Sequence, residues 1–379
     1  MRICLVGPAW PYRGGISHYN TCLAKELLKR HEVDVVNFSR LYPDFLFPGK
    51  TQYDGSASAH AVPSIRLIDS INPLTWLRAG FRIAKLRPDL VIVQWWHPFF
   101  APALSKICMI LRTFSRAKII MICHNVIPHE RSAADRLLAR LAFAPVHGFV
   151  VQSRGDAADL AGIRRGARIV ARPHPVYDFF RTGDLGRDEA REMIGEPDGP
   201  LVLFFGYIRA YKGLDHLIRA MSLLREKREA RLLVVGEFYE DRSRYDELVN
   251  GLGLSGAVRF VDRYVGNEEV QPYFAASDIV VLPYNSATQS GIVQIAMAFH
   301  RPMIVTDVGG LAETVSEGRT GFVVKAGDPA AIAERLEAFF RDDLGAGMER
   351  FFDEEMRRFA WSGLTEAIEA LHADIAGGR

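Results

Sequence analysis

Two polar stretches of the chain combine residue types that suit the binding of a diphosphate. The first, 206–213, follows an apolar run and holds Arg209 and Lys212. Two cations at the mouth of a strand-to-helix turn can neutralise a diphosphate together, the arginine in bidentate fashion. The second, 283–292, ends where a helical period begins. The first turn of a helix leaves amides unpaired at the positive end of its dipole, so this stretch predicts a phosphate seat at four residues: Gln289, Ser290, Gly291 and Ile292.

Glycine pairs occur at two further turns that could face the same ligand. Gly14-Gly15 precedes a helical period and predicts a second anion seat, with a flexible turn as the alternative. Gly309-Gly310 predicts a tight turn that would hold Glu313 near the phosphate seat. An ordinary strand-helix-strand unit explains the pattern at 282–313 about equally well. The closely spaced glycines of the dinucleotide-binding fingerprint are absent after the first strand, which disfavours a nicotinamide site.

Aromatic and polar side chains follow two other apolar runs. Trp95 and Trp96 follow the strand predicted over 89–94, where their rings could stack on a sugar or hold a lipid chain. Burial between helices is the alternative. His129 and Glu130, beyond the strand predicted over 118–123, are candidates for the acceptor pocket, and a surface turn explains them equally well.

The rest of the sequence predicts the elements that would position these residues. Apolar runs alternate with helical periods, which predicts an α/β fold of two Rossmann-like domains facing a central cleft. A length of 379 residues, with 49% apolar and 24% charged residues, suits two globular domains. Proline and glycine crowd the interval 173–200, which predicts a linker there.

Charge is distributed unevenly between the two halves. Residues 1–181 hold 25 Lys and Arg against 12 Asp and Glu, a net charge of +13, and the remainder has a net charge of −11. The first half is therefore expected to meet something anionic. The helix predicted over 72–86 places Arg78, Arg82 and Lys85 beside an apolar face. Such a helix can lie on an anionic membrane, although a solvated stripe is the commoner explanation.

Targeting features and cysteine usage point to the cytoplasm. Met1 leads directly into a strand without a signal peptide, and no apolar run reaches the ~20 residues that span a bilayer. Any membrane contact is therefore expected to be peripheral, and no nucleic-acid partner is expected. The cysteines lack metal-ligand spacing and are expected to be reduced, buried thiols: Cys4, Cys22, Cys108 and Cys123.

The order of these features resembles the retaining nucleotide-sugar glycosyltransferases of family four (group 1 type), which have the GT-B fold. The likeness is strongest at 206–213 and at 296–313, which runs from Ala-Met-Ala to Thr-Asp-Val-Gly-Gly-Leu-Ala-Glu. It implies transfer of a hexosyl group from a UDP- or GDP-sugar to an acceptor hydroxyl, with retention and without a metal or other cofactor. It also implies an acceptor-side domain over 1–180, a nucleotide-sugar domain over 200–352, and a terminal helix over 353–379 that packs back on the first domain.

The resemblance assigns roles to single residues. Gly206 and Lys212-Gly213 match a turn that stabilises the leaving diphosphate. Tyr207 occupies the usual arginine position, so Arg209 is expected to serve in its place. His124 matches a histidine near the transferred sugar, where a neutral imidazole could bind sugar hydroxyls. Backbone atoms that read the base are expected at Arg263, Tyr264 and Val265. We identify no carboxylate nucleophile, in keeping with the family's front-face mechanism, where the leaving phosphate accepts the acceptor's proton.

The sequence departs from the family at two glutamates that hold the donor sugar and the ribose. Ala287 and Ile295 occupy those positions, and Gln289 and Gln294 are the nearest polar substitutes. The acceptor is expected to be a glycan or lipid-linked sugar of envelope polysaccharide assembly. Two alternatives stay open: a GT-B epimerase or hydrolase of nucleotide sugars, and a non-catalytic protein that binds them.

Overall fold

The computed structural model describes residues 1–47, 49–55, 61–127 and 133–378. The acceptor candidates His129 and Glu130 lie outside these residues. The chain divides into two compact units, one formed by Met1–Pro173 with Ala360–Arg379 and the other by His174–Phe359. Each unit holds one parallel sheet flanked by helices, which makes the chain an α/β protein with two Rossmann-like units.

The first unit is built on a sheet with seven parallel strands in its described part. Strands and helices are numbered in chain order. The strands are β1 (Arg2–Val6), β2 (Glu32–Arg40), β3 (Ile65–Asp69), β4 (Leu90–Trp95), β5 (Lys118–Cys123), β6 (Gly148–Val151) and β7 (Ile169–Ala171). Their order across the sheet is β3-β2-β1-β4-β5-β6-β7. The helices are α1 (Gly15–Leu28), α2 (Pro73–Leu86), α3 (Ala101–Phe114), α4 (Ala133–Phe143), α5 (Arg154–Ile163) and α14 (Trp361–Gly377).

The central strands of this sheet form from continuous apolar runs, because helices cover both faces of a parallel sheet. All six residues of β4 are buried. At the edge, β3 has the sequence Ile-Arg-Leu-Ile-Asp and only Ile68 is buried. The sequence analysis missed β3, since its charged residues interrupt the apolar run.

The last helix, α14, packs on the first unit. The side chain of His31, after α1, hydrogen-bonds the carboxylate of Glu369 at 2.7 Å. Gly148, at the start of β6, lies against Leu371 and Ile375, since a Cβ atom there would lie 2.7 Å from Cδ1 of Ile375. The C-terminal helix therefore shares the hydrophobic core of a sheet that the first half of the chain forms.

The second unit has a six-stranded parallel sheet in the described residues. Its strands are β8 (Leu201–Phe205), β9 (Arg231–Val235), β10 (Val258–Val261), β11 (Ile279–Leu282), β12 (Met303–Thr306) and β13 (Gly321–Val324). Their order is β10-β9-β8-β11-β12-β13. The helices are α6 (Arg187–Ile194), α7 (Leu214–Arg225), α8 (Ser243–Gly251), α9 (Val270–Ala276), α10 (Gly291–Ala298), α11 (Pro329–Arg341), α12 (Leu344–Glu349) and α13 (Phe352–Met356).

The interval 173–200 folds as part of the second unit, so the prediction of a linker there is wrong. It contains α6, whose Arg191 is buried and donates to the carbonyl oxygens of Ala276 at 3.0 Å and Gly199 at 2.8 Å. Arg191 also pairs with Asp278 at 3.2 Å. The glycines that suggested a linker instead mark the ends of α6, with Gly186 before it and Gly195 after it in the left-handed conformation.

Candidate active site

The strand order of the second sheet reverses between β8 and β11, and the loops after these strands lie side by side. Asn285 donates its backbone N–H to the carbonyl oxygen of Tyr211 at 2.7 Å. Gly213 has a φ of 63°, and a Cβ atom there would lie 2.1 Å from the carbonyl oxygen of Pro283. Only glycine fits that contact. Open α/β sheets bind ligands at such a switch point, outside the carboxyl ends of the strands.

Lys212 lies buried at this switch point. Its residue is only 7% exposed, and its Nζ lies 5.3 Å from the ring centroid of Tyr284. Burial, followed by the charge of Arg209, lowers the pKa of Lys212 to about 7. Among the described residues no carboxylate pairs with its ammonium group. A buried cation without an acidic partner is costly, and an anionic ligand would compensate it.

Gly206 brings the start of α10 next to Lys212. Its φ is 105°, and a Cβ atom there would lie 3.1 Å from Nζ of Lys212 and 3.3 Å from Cδ1 of Ile292. Ser290 caps α10, and its Oγ accepts the backbone N–H of Ile292 at 3.3 Å. Gly291 has no side chain to displace the Tyr177 ring, whose Cε2 would lie 3.1 Å from a Cβ atom there. The structure therefore brings one predicted cation and the predicted helix start together.

The glycine turn after β12 holds the loop that precedes α10. Gly310 donates its N–H to the carbonyl oxygen of Thr288 at 2.8 Å. A Cβ atom on Gly310 would lie 2.0 Å from Nε2 of Gln289, so a larger residue would push Gln289 away. Glu313 lies beyond this turn in a 3-10 turn, Ala312–Thr314, with its side chain exposed.

Three tyrosines form a stack at the carboxyl ends of β8, β9 and β10. The ring centroids of Tyr207 and Tyr239 are 4.7 Å apart with planes 29° apart, and those of Tyr207 and Tyr264 are 6.4 Å apart. The guanidinium carbon of Arg209 lies 4.9 Å from the Tyr239 ring centroid. We call Tyr207, Tyr239 and Tyr264 the tyrosine stack. The sequence analysis missed Tyr239, although aromatic residues after three successive apolar strands were a usable signal.

In the segment predicted to contact the base, 263–265, the side chains of Arg263 and Val265 are not available to a ligand. Arg263 binds Glu269 in bidentate fashion, at 2.8 and 2.6 Å. This hydrogen bond to Glu269 is the main cause that raises the pKa of Arg263. Val265 is buried. A base at this segment would therefore meet backbone atoms and the Tyr264 ring.

The two positions that lack the expected glutamates are apolar and buried, Ala287 at 8% and Ile295 at 5% exposed. Of the substitutes, Gln289 donates from Nε2 to the carbonyl oxygen of Gly310 at 3.5 Å. Gln294 is fully buried, and its amide oxygen and nitrogen have no hydrogen-bond partner within the described part of the chain. Leaving a buried amide unpaired costs free energy, and a ligand could pair with Gln294 only if the side chains that cover it move.

His124 belongs to a buried polar network at the carboxyl edge of the first sheet. Its Nε2 lies 2.8 Å from Oε1 of Gln94, and its Nδ1 lies 3.3 Å from Nε2 of Gln152. Gln94 in turn donates to Oδ1 of Asn20 at 3.1 Å. A neutral ring with its proton on Nε2 satisfies both contacts. His124 was predicted from the sequence. Gln94 and Gln152 were not, although polar residues at the ends of apolar strands carried a signal, and Asn20 lies in α1, where no such signal marked it.

The two tryptophans after β4 differ in burial. Trp95 is fully buried in the hydrophobic core, where its ring packs on Phe143 at 5.1 Å between centroids. This burial removes Trp95 from an acceptor surface and corrects that prediction. Trp96 is partly exposed, donates from Nε1 to the Tyr42 hydroxyl at 3.0 Å, and packs on Phe100.

The Gly14-Gly15 turn forms the start of α1, as the glycine spacing predicted. Gly14 has a φ of 103° and is the N-cap of the helix. Within the described part, no atom outside the local chain lies within 4 Å of a Cβ atom placed on either glycine. The approach to this helix start is therefore open at both positions.

The described ranges contain neither a cluster of metal-ligating side chains nor a helix suited to span a membrane. No three His, Cys, Asp or Glu side chains there are grouped closely enough to hold a metal ion. The helices described there include none with the length and apolar character needed to cross a membrane.

Comparison with known proteins identifies two family models in the chain. Residues 13–178 match the model described as Glycosyltransferase Family 4, and residues 199–342 match that described as Glycosyl transferases group 1. A D-inositol 3-phosphate glycosyltransferase of Streptomyces avermitilis is 33% identical over 254 residues, which cover 64% of this chain and 52% of the relative. The chain thus spans about half the length of the curated relatives it matches.

Solved structures share the fold along the whole chain. Sucrose-phosphate synthase from Thermosynechococcus elongatus superposes with a TM-score of 0.77 at 20% identity, covering 100% of both chains. Anabaena HepE in complex with UDP superposes with a TM-score of 0.75 at 18% identity, covering 99% of this chain and 100% of the other.

Proposed function

Since the chain belongs to glycosyltransferase family four and has the GT-B fold, we propose that it transfers a hexosyl group from a nucleotide diphosphate sugar to an acceptor hydroxyl. The observation that carries this proposal is Lys212, a buried amine that has no acidic partner among the described residues and lies beside the start of α10. Breaking the glycosidic bond leaves negative charge on the β-phosphate of the nucleotide. Lys212 is proposed to neutralise that charge.

The proposed reaction retains the anomeric configuration. The bond between the anomeric carbon and the β-phosphate oxygen breaks, and the acceptor oxygen bonds the same carbon on the same face. The acceptor's proton passes to the leaving phosphate. Arg209 and the amides at the start of α10 are proposed to share the phosphate charge. These groups take the role that a divalent cation has elsewhere, so we expect turnover to survive a chelator.

The tyrosine stack supports a donor with a planar base. Base–aromatic stacking is worth about 1–3 kcal/mol per base. Gln294 is proposed to bind a donor hydroxyl in place of the missing glutamates. Gln289 lies in the loop before α10 and Glu313 in the turn after β12, and both are proposed to contact the donor as well. HepE binds UDP, which favours a UDP-sugar over a GDP-sugar. In the first unit, His124 is proposed to exchange one of its hydrogen bonds, to Gln94 or Gln152, for a hydroxyl of the transferred sugar.

The acceptor is proposed to be a glycan or a lipid-linked sugar at the cytoplasmic face of a membrane. Apolar side chains are exposed on neighbouring helices of the first unit, Leu74 at 69% and Phe81 at 44% on α2 and Phe114 at 62% on α3. Arg78, Arg82 and Lys85 are exposed on α2 as well. Cations beside exposed apolar side chains suit an anionic bilayer surface. Flotation with anionic liposomes tests this surface, and binding that survives Phe81→Ser with Leu74→Ser would contradict it.

An inositol phosphate is the second candidate acceptor. The matched relatives carry the name D-inositol 3-phosphate glycosyltransferase. A turnover panel with both acceptor classes separates the two candidates.

The central experiment measures donor binding and turnover together. UDP-, GDP- and ADP-sugars are screened for protection against thermal unfolding. Turnover of the best donor is then compared between the parent and the variant with Arg209→Ala and Lys212→Ala. Arg219→Ala with Arg225→Ala on α7 removes the same charge from exposed positions and serves as the control.

The results of that experiment distinguish the proposed transfer from its alternatives. Loss of turnover in the site variant alone supports the proposal. Parental turnover in that variant, or donor binding without turnover on any acceptor, contradicts it. Release of free sugar without an acceptor would favour a hydrolase.

A further inference from the structure

A second pocket lies in the first unit, at the amino edge of its sheet. It has a volume of about 820 Å³ and is bordered by the amino ends of β5, β6 and β7 and by the last residues of α3 and α14. Strands rise ~3.3 Å per residue, so the length of β5 separates this pocket from His124 by ~20 Å. We call it the amino-edge pocket. Its basic lining residues are Arg112, Arg116, Lys118, His147, Arg164 and Arg168.

Positive charge in the amino-edge pocket is mostly uncompensated. Arg168 lies 3.4 Å from Oδ2 of Asp374 and donates to the Asp374 carbonyl oxygen at 3.1 Å. Arg164 donates to neutral carbonyl oxygens, including that of Val146. Within the described ranges, the remaining cations, Arg112, Arg116 and Lys118, pair with no carboxylate, and neither does Arg164. Four cations thus border one cavity without an acidic partner in those ranges.

One contact in the pocket cannot be satisfied by the protein alone. Nδ1 of His147 accepts the backbone N–H of Ile119 at 2.9 Å, which leaves the ring proton of a neutral imidazole on Nε2. Nη1 of Arg112 lies 2.5 Å from that same Nε2. Two donors therefore face each other. An anion that accepts from both groups would relieve the conflict.

We propose that the amino-edge pocket binds a compound with two or more phosphate groups. A phosphate monoester carries about −1.5 to −2 charges at neutral pH, so two such groups match four cations. The cavity volume lies within the range of small-ligand sites, about 300–1,000 Å³. Arg112 and His147 donate to one phosphate, and Lys118 and Arg116 contribute charge from the pocket wall.

The ionisation of His147 agrees with this geometry. Burial, and then the charges of Arg112, Lys118, Arg164 and Arg168, lower the pKa of His147 to about 4. A phosphate ligand would offset those charges and raise the pKa. The imidazole resonances of His147 are therefore expected to titrate at higher pH when ligand is bound.

The test uses the full chain and two phosphate probes. Soluble tripolyphosphate is titrated by calorimetry, and phosphatidylcholine vesicles that contain a phosphatidylinositol bisphosphate are tested by flotation. The pocket variant combines Arg112→Gln with Lys118→Gln, which removes two cations without touching Arg164 or Arg168. The control variant, Arg219→Gln with Arg225→Gln, removes two exposed cations from α7. Circular dichroism melting verifies that both variants fold.

The proposal expects binding of at least one probe to weaken about tenfold or more in the pocket variant and to persist in the control. If the pocket variant binds tripolyphosphate more weakly, the ligand is a soluble phosphate compound. If only its binding to vesicles weakens, the ligand is a lipid headgroup. The loops around Lys212 are intact in the pocket variant, so binding that it retains in full belongs to them and overturns the proposal. Equal weakening in the control, or no binding of either probe by the parent, also overturns it.

Discussion

Buried polar groups at the carboxyl edges of the two sheets differ in whether the protein itself supplies their partners. At the first edge, Gln94 and Gln152 hydrogen-bond both ring nitrogens of His124. At the second edge, Lys212 is buried against Tyr284, and among the described residues no carboxylate pairs with it. A satisfied network stabilises a fold, whereas an uncompensated cation costs stability. We therefore infer that the second edge binds an anion, since the described part of the chain supplies none to Lys212.

Removing the uncompensated cation is expected to have the largest effect. In Lys212→Met, kcat/KM for the donor should fall about 10²- to 10³-fold, because charge stabilisation in the transition state is lost. The free energy of unfolding of the ligand-free protein should rise by about 1–3 kcal/mol, since a buried charge is replaced by an apolar side chain. Donor kinetics and chemical denaturation measure the two effects. Lys227→Met, at an exposed position, should change neither, and a less stable Lys212→Met protein would contradict the comparison.

Breaking the satisfied network should have the opposite effect on stability. Gln94→Leu leaves the Nε2 proton of His124 without its acceptor, so the free energy of unfolding should fall by about 1–3 kcal/mol. Denaturation measures this change. Adding His124→Phe to Gln94→Leu removes both partners and should recover part of the loss. If the double variant is less stable than the single one by the full cost of a second buried group, the network does not act as a unit.

Changing pH should separate the two edges without mutation. Lys212 has a pKa of about 7 in the folded protein against an ordinary value of 10.5. It loses its charge as pH rises through about 7, so donor kcat/KM should fall about tenfold per pH unit above that value. The unfolded chain binds the extra proton between about 7 and 10.5, so this group's contribution to the free energy of unfolding should increase across that window. Both pH dependences should be absent in Lys212→Met, and their persistence there would assign them to another group.

Removing one ring from the tyrosine stack should have the smallest effect on donor kinetics. Tyr239→Leu removes the outer ring that supports Tyr207 and Arg209, so KM for the donor should rise about three- to tenfold, in line with the worth of one aromatic pair. Tyr53→Leu breaks a comparable stacked pair with Tyr12 in the first unit and serves as the control. Steady-state kinetics with varied donor measure both. A change in KM of equal size in the two variants would show that the stack is only structural.

Local sequence was enough to predict most elements. Apolar runs predicted buried strands such as β4 and β5, since a strand covered on both faces needs such a run, and in the described part of the chain β3 lacks one. Gly14-Gly15 was predicted to precede a helix, and α1 begins at Gly15 with Gly14 as its N-cap. The prediction of a linker over 173–200 was wrong because glycine and proline mark helix ends as readily as linkers. The tertiary contacts of Arg191 show that the segment is part of the second unit.

The family, the α/β class and the positions of Gly206, Lys212 and α10 could be predicted from the amino-acid sequence, because they depend on neighbouring residues and their spacing. Three findings needed the folded structure: Trp95 lies in the core, Lys212 is buried without an acidic partner in the described chain, and Arg112 faces His147. Burial and charge compensation depend on residues far apart in sequence that come together only when the sheet forms. The local sequence pattern therefore predicts the element on which a residue lies, and tertiary packing decides its burial and its partners.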